Sequence, residues 1–255
     1  TISVIGQPCS WHNYSNQTTT DLWHPMVTLH KKNKRRDYVE SFAYRRPVDA
    51  STLIIVNASN EVLLGKRSSK HIFMPEQYVF PGGRVDPGDS RVFCPIEAEP
   101  ELINELTETV SKARAQGIAM AAVRETFEET GLILGSPWKH LIQTKSPSWR
   151  PFFNQGMVPA LNRLKFFTRA ITPPGQVRRY DTRFFLTEAK YLTGELQGNG
   201  ELIDLRWINI TQATSLPLSP ITTLVLQVLQ ECQNGNSTHP STLLKEIAGA
   251  ALKTE

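Results

Sequence analysis

Hydrophobic positions in this chain fall into short blocks and helical stripes between two polar ends. Residues 51–56 read as a buried strand, 57–60 as a turn and 61–67 as a returning strand, so the pair predicts a hairpin. A third strand, 78–80, delivers the chain to a glycine-rich loop, Phe80-Pro81-Gly82-Gly83-Arg84-Val85-Asp86-Pro87-Gly88-Asp89. Behind Pro100, Leu102, Leu106, Val110 and Ala113 repeat at spacings of four and three, which predicts a helix within residues 90–117. Met120, Val123 and Phe127 form the stripe of a second helix, and Gly131 supplies a left-handed residue to end it. Residues 165–171, 182–186 and 202–208 then read as strands. Ser219-Pro220 opens a last amphipathic helix with Leu224, Val225, Val228 and Leu229 inward. Residues 1–45 are expected to form a polar arm and 233–255 a polar tail, which leaves 46–232 as the folded domain.

Composition narrows the class. A chain of 255 residues, 40% hydrophobic and 20% charged, can bury a sizeable core. The net charge of +4 and pI near 9.0 are mild, and much of the excess sits in His30-Lys31-Lys32-Asn33-Lys34-Arg35-Arg36. With no interleaved aromatic that cluster reads as a solvated linker, so a nucleic-acid partner is not expected. Cys9, Cys94 and Cys232 form no C-x-x-C pair and suggest neither zinc nor a disulfide framework. No run reaches the ~18 apolar residues of a membrane span. A cytoplasmic, membrane-free protein is the expectation. The start at Thr1 without an apolar signal region is expected to reflect a removed leader or trimming, and nothing in the pattern fixes an oligomeric state.

The chemistry concentrates in Arg124-Glu125-Thr126-Phe127-Glu128-Glu129-Thr130-Gly131-Leu132. On a helix Glu125, Glu128 and Glu129 stand at i, i+3 and i+4, so three carboxylates share one face. A solvated face would mix in lysines, whereas Glu125 and Glu129 repel as an i, i+4 pair and only Arg124 to Glu128 offsets the cost. Such a cluster suits hard divalent cations. Upstream, Gly82 and Gly83 permit close backbone approach to a ligand. Elsewhere, Trp138, Trp149, Phe152 and Phe153 are expected to cover a core edge rather than to stack on a base. Arg178-Arg179-Tyr180-Asp181 is a candidate phosphate contact, and Glu201 is a candidate extra acid for the cluster, although a surface pair with Arg206 or Lys190 is the expected role.

These two pieces together resemble the Nudix box, Gly-x5-Glu-x7-Arg-Glu-U-x-Glu-Glu-x-Gly-U, where U is apolar. Gly83 and Arg124 to Leu132 match it, with Asp89 at the first glutamate, Thr126 at the first U, and 34 residues between acid and arginine in place of 7. A branch of the family that cleaves coenzyme A and acyl-coenzyme A carries an insertion at this point. Leu63-Leu64-Gly65-Lys66-Arg67-Ser68 ahead of Phe80-Pro81-Gly82-Gly83 is similar to the coenzyme A pyrophosphatase motif, although Ile72 and Glu76 fall where its second arginine and glycine belong. The segments 71–75 and 179–185 also look like those of the long, insertion-bearing members.

The resemblance implies an α/β/α sandwich with a mixed β-sheet and a helical insertion, 90–117, inside the box. It implies Mg2+ or Mn2+ held by Glu125, Glu128, Glu129 and the Gly83 carbonyl. Catalytic roles fall to Glu125 as general base, to Glu129, and to Arg124 as the group that orients the carboxylates. Substrate contacts fall to Arg67, Gly82 and Arg84. The implied reaction is hydrolysis of the diphosphate of coenzyme A or acyl-coenzyme A to 3',5'-ADP and the 4'-phosphopantetheine part. Alternatives are another nucleoside diphosphate derivative such as ADP-ribose or NADH, or a Nudix-fold nucleotide-binding regulator without turnover. A peroxisomal member would end in a Ser-Lys-Leu-like tripeptide, whereas this chain ends Lys253-Thr254-Glu255.

Overall fold

The computed structural model describes residues 46–69, 75–173, 178–236 and 238–251. The predicted arm, the basic cluster at 30–36, Cys9 and residues 71–74 lie outside these. In order the elements are β1 (Val48–Val56), β2 (Glu61–Arg67), β3 (Tyr78–Val79), β4 (Gly82–Arg84), α1 (Pro100–Thr107), α2 (Lys112–Thr130), β5 (Gly135–Pro137), α3 (Arg150–Phe153), β6 (Met157–Pro159), β7 (Lys165–Ile171), β8 (Tyr180–Glu188), β9 (Leu202–Asn209), α4 (Ile210–Ala213), α5 (Pro220–Gln233) and α6 (Pro240–Ala251). Seven strands make a mixed sheet with the central order β3-β2-β1-β8-β7, β4 pairing with β1 and β9 with β2. The β1–β8 pair is parallel and the others antiparallel.

Both faces of the sheet are covered, which is why its central strands read as continuous apolar runs. Alternate residues of β1 serve two cores: Leu53 and Ile55 join α1, α2, Trp149 and Phe152 on one side, while Ile54 joins α5 and α6 on the other. Strands β2 and β8 divide in the same way, Leu63 and Phe185 facing the first core, Val62, Leu64 and Phe184 the second. The result is the α/β/α sandwich. Among the described residues no helix is long and apolar enough to cross a membrane.

Three expectations are corrected. Gly82–Arg84 is a short strand against β1, with Gly83 opposite Ser51 and Gly82 opposite Thr52, because an edge without side chains can lie close on its partner. The insertion holds two helical pieces rather than one. After α1, Ser111 caps a new helix that runs without a break from the insertion into the box, so Val110 and Ala113 do not continue the α1 stripe. Residues 136–160 hold the β5–β6 pair and α3, and Trp149, Phe152 and Phe153 lie in the core they were expected to border, so this reading needs no correction. The tail is not purely polar: α6 buries Leu243 and Leu244 against α5, a stripe that Pro240, Leu243, Leu244 and Ile247 carry in the sequence.

Candidate active site

Helix α2 brings the box to the sheet. Ala119, Ala121 and Ala122 are fully buried, so the helix lies close on β1, where the Ser51 hydroxyl donates to the Ile118 carbonyl. Thr126, at a position where the pattern wants an apolar residue, is fully buried and satisfies its hydroxyl on the Ala122 carbonyl at 2.8 Å. Gly131 ends the helix at φ 74° with its N–H on the Phe127 carbonyl. Arg124, Glu125, Glu128 and Glu129 are thus placed in the last turns, over β4.

Arg124 is buried and uses all five of its donors. Nε donates to Asp89 Oδ1 (2.8 Å) and Nη2 to Asp89 Oδ2 (3.0 Å) and to the Arg84 carbonyl (2.9 Å). Nη1 bridges Glu125 Oε1 (2.9 Å) and Glu128 Oε2 (2.8 Å). Burial opposes its charge, but the bonds and charges of Asp89, Glu125 and Glu128 prevail and hold the guanidinium above its usual range. Asp89 is fully buried and is the anchor of this arrangement. Its Oδ2 also accepts from the Asp86 N–H (2.7 Å) and its Oδ1 from the Trp149 indole N–H (2.7 Å). Neither the anchoring role of Asp89 nor the part of Trp149 was visible in the sequence, where Trp149 stands among several aromatics with nothing to single it out.

The paired glycines admit the carboxylates. A Cβ on Gly83 would stand 2.5 Å from the Glu125 carboxyl carbon, and one on Gly82 would stand 2.4 Å from the Ser51 carbonyl oxygen. The Gly82 N–H donates to Glu129 Oε2 at 2.8 Å. Burial pushes the Glu125 carboxyl up to about 7, with Arg124 opposing and Glu128 adding to the rise. Burial raises Glu128 as well, against the pull of Arg124. Glu129, 4% exposed, lies well above the usual carboxylate range through burial and then repulsion from Glu125. Among the described residues no three carboxylate, His or Cys side chains close around an ion-sized site. The donor set still fits a divalent cation. Glu125 and Glu129 are two acids held in mutual repulsion inside the protein, a cost that positive charge relieves, and they present only hard oxygen ligands.

The remaining candidates separate. Arg67 is close enough for its charge to lower Glu129, and the Arg84 side chain is exposed. The Arg178–Asp181 segment is drawn into internal pairing instead: Arg179 Nε donates to the Thr172 carbonyl, and Asp181 is gripped by both arms of Arg169 and by Arg183. Glu201 departs from expectation, because Arg206 pairs with Asp204 and Lys190 with Glu188. Glu201 instead helps to raise Glu129 and lines an open cleft of about 740 Å³ with Phe127, Glu128, Pro151, Gln155 and Gln197. Cys94 carries a free thiol.

No family model matches the chain. It is 27% identical over 203 residues to the acyl-coenzyme A diphosphatase NUDT19 of Xenopus laevis, the match covering 60% of this chain and 53% of that protein. The chain thus spans about half the length of this curated relative. Among solved structures it is similar to a Nudix hydrolase from Alicyclobacillus acidocaldarius, 27% identical with a TM-score of 0.55, covering 74% of this chain and 93% of that one.

Proposed function

We propose that the chain is a metal-dependent diphosphatase of the Nudix family that hydrolyses coenzyme A or acyl-coenzyme A to 3',5'-ADP and the (acyl-)4'-phosphopantetheine part. The observation that carries the reading is the convergence of Glu125 and Glu128 on Arg124 and of Glu129 on the Gly82 N–H, at a glycine pair that leaves room for nothing larger. The substrate class is supported by the insertion at 90–117 and by the similarity to the Xenopus acyl-coenzyme A diphosphatase.

In this reading Glu125, Glu128, Glu129 and the Gly83 carbonyl hold Mg2+ or Mn2+, which when bound neutralises the diphosphate and acidifies a water. The chain's own residues do the rest. Glu125, beside that site, is the group assigned to take the proton of the water. Arg124 locks Glu125 and Glu128 in place through charge-assisted bonds. Arg67 and the exposed Arg84 offer positive charge to the substrate phosphates, and the Gly82 N–H fixes Glu129. The cleft beside Phe127 and Gln155 has space for the part of the substrate beyond the diphosphate. Water adds across one P–O–P bond, and each phosphorus leaves with one oxygen of the pair.

The test is product identification by mass spectrometry after incubation with Mg2+ and then Mn2+, offering coenzyme A, an acyl-coenzyme A, ADP-ribose and NADH in parallel, with Glu129→Gln as control. Metal-dependent 3',5'-ADP that the control lacks supports the reading. AMP from ADP-ribose or NADH with coenzyme A intact keeps the chemistry and replaces the substrate.

A further inference from the structure

We infer that Trp149, which lies outside the box, is a positioning residue for the carboxylate cluster, acting through Asp89 on Arg124. A buried carboxylate has about four lone-pair directions to fill. Asp89 fills them with Arg124 Nε and Trp149 Nε1 on Oδ1 and with Arg124 Nη2 and the Asp86 N–H on Oδ2. Both Asp89 and Trp149 are fully buried, so water does not replace a lost donor without repacking. The indole has one N–H and spends it here. Removing it leaves Oδ1 held by Arg124 alone, with the Asp86 N–H on Oδ2 as the one remaining donor that does not move with the guanidinium. The anchor under Arg124 loosens, and Glu125 and Glu128 share the Nη1 of that guanidinium.

Two further observations suit this role. The Asp89 side chain is one methylene shorter than the glutamate of the box pattern, which leaves room for an indole to reach its oxygen. Trp149 also stands at the start of α3, stacked on Phe153 with ring centres 5.6 Å apart and edge-on to Phe152 at 5.3 Å. Pro151 of that helix and Gln155 just past it line the cleft. One side chain therefore ties the wall of the cleft to the anchor of the arginine that holds the carboxylates.

The test replaces the donor and keeps the ring, with Trp149→Phe. Its kinetic arm rests on the coenzyme A reading: kcat for coenzyme A falls about 10- to 100-fold while KM stays within about threefold, at a temperature where circular dichroism shows both proteins folded. A double-mutant cycle with Asp89→Asn gives non-additive losses, since both variants act on one carboxylate. Unchanged kcat, or additive losses, overturns the proposal. A second arm needs no substrate: the Arg124 Nε–H, followed by 15N NMR, is protected from exchange in the parent and exchanges faster in the variant. Equal protection overturns the proposal whatever the substrate proves to be. If Trp149→Phe does not fold, β-(3-benzothienyl)alanine at position 149 keeps the shape without the N–H and faces the same two outcomes.

Discussion

Adjacent glycines of the box, changed one at a time to alanine, should fail in opposite ways. At Gly83 the added methyl meets the Glu125 carboxyl carbon at 2.5 Å and its oxygens at 2.5 and 2.6 Å. Gly83 is not among the glycines at positive φ, so alanine accepts the backbone, and the loss of unfolded-state freedom is worth roughly 0.4–1 kcal/mol in its favour. What must yield is the end of a side chain. Moving it out to the 3.4 Å where ordinary contact begins takes a shift of about 0.9 Å. A misplacement near 1 Å of a reacting group costs on the order of 100-fold in rate. At Gly82 the methyl instead meets the Ser51 carbonyl oxygen at 2.4 Å and Thr52 Cα at 2.7 Å, both backbone of the central strand β1. That backbone has little room to yield, and overpacking of this kind costs about 1–3 kcal/mol or more. Gly83→Ala should therefore melt within a few degrees of the parent yet hydrolyse coenzyme A about 100-fold more slowly, whereas Gly82→Ala should melt well below it. Thermal unfolding and steady-state kinetics on the pair decide the matter. Parental kcat in Gly83→Ala, or equal melting of the two variants, refutes the placement of Glu125 against β4.

Other outcomes follow from the same geometry. Asp89→Ala strips the buried guanidinium of Arg124 of its anchor and should destabilise the fold by about 3–5 kcal/mol in urea unfolding. Without added cation, Glu125 has a folded pKa of about 7 against an ordinary 4.5, so its contribution to stability is full below about 4.5 and is lost as pH rises through 7. Urea unfolding from pH 5 to 8 should show that decline, at up to ~1.4 kcal/mol per pH unit for this group, and Glu125→Gln should make it shallower, with Glu105, Glu128 and Glu129 retaining the remainder. For the same reason Mn2+ should raise the melting temperature more at pH 8 than at pH 5. Glu105 in α1 is likewise raised to about 7 by burial, and its Oε2 has no hydrogen-bond partner among the described residues, so Glu105→Gln should stabilise the protein at pH 8 and leave kcat alone. Leu244→Ala in α6 should cost about 2–5 kcal/mol by differential scanning calorimetry, as expected of a core residue and not of a tail.

What the sequence determined by itself is what depends on neighbours along the chain. The apolar runs of β1, β2 and β7, the Ser219-Pro220 start of α5 and the Gly131 stop of α2 all rest on local period and local turn chemistry. So does the grouping of Glu125, Glu128 and Glu129, which needs only helical spacing. The tertiary structure decided what depends on residues far apart in the chain. Asp89 looked like a shortened relic of a pattern, and only the fold brings it under Arg124, 35 positions on, and under Trp149, 60 positions on. Glu201 looked like a surface acid until β9, pairing with β2, carried it to the cleft and towards Glu129. Gly82–Arg84 looked like a loop because glycines carry no period, and it became a strand because β1 offered a free edge of hydrogen bonds at that point. The sequence could name the acids, but which of them are buried, and which donor holds each oxygen, is a property of long-range packing that no local pattern encodes.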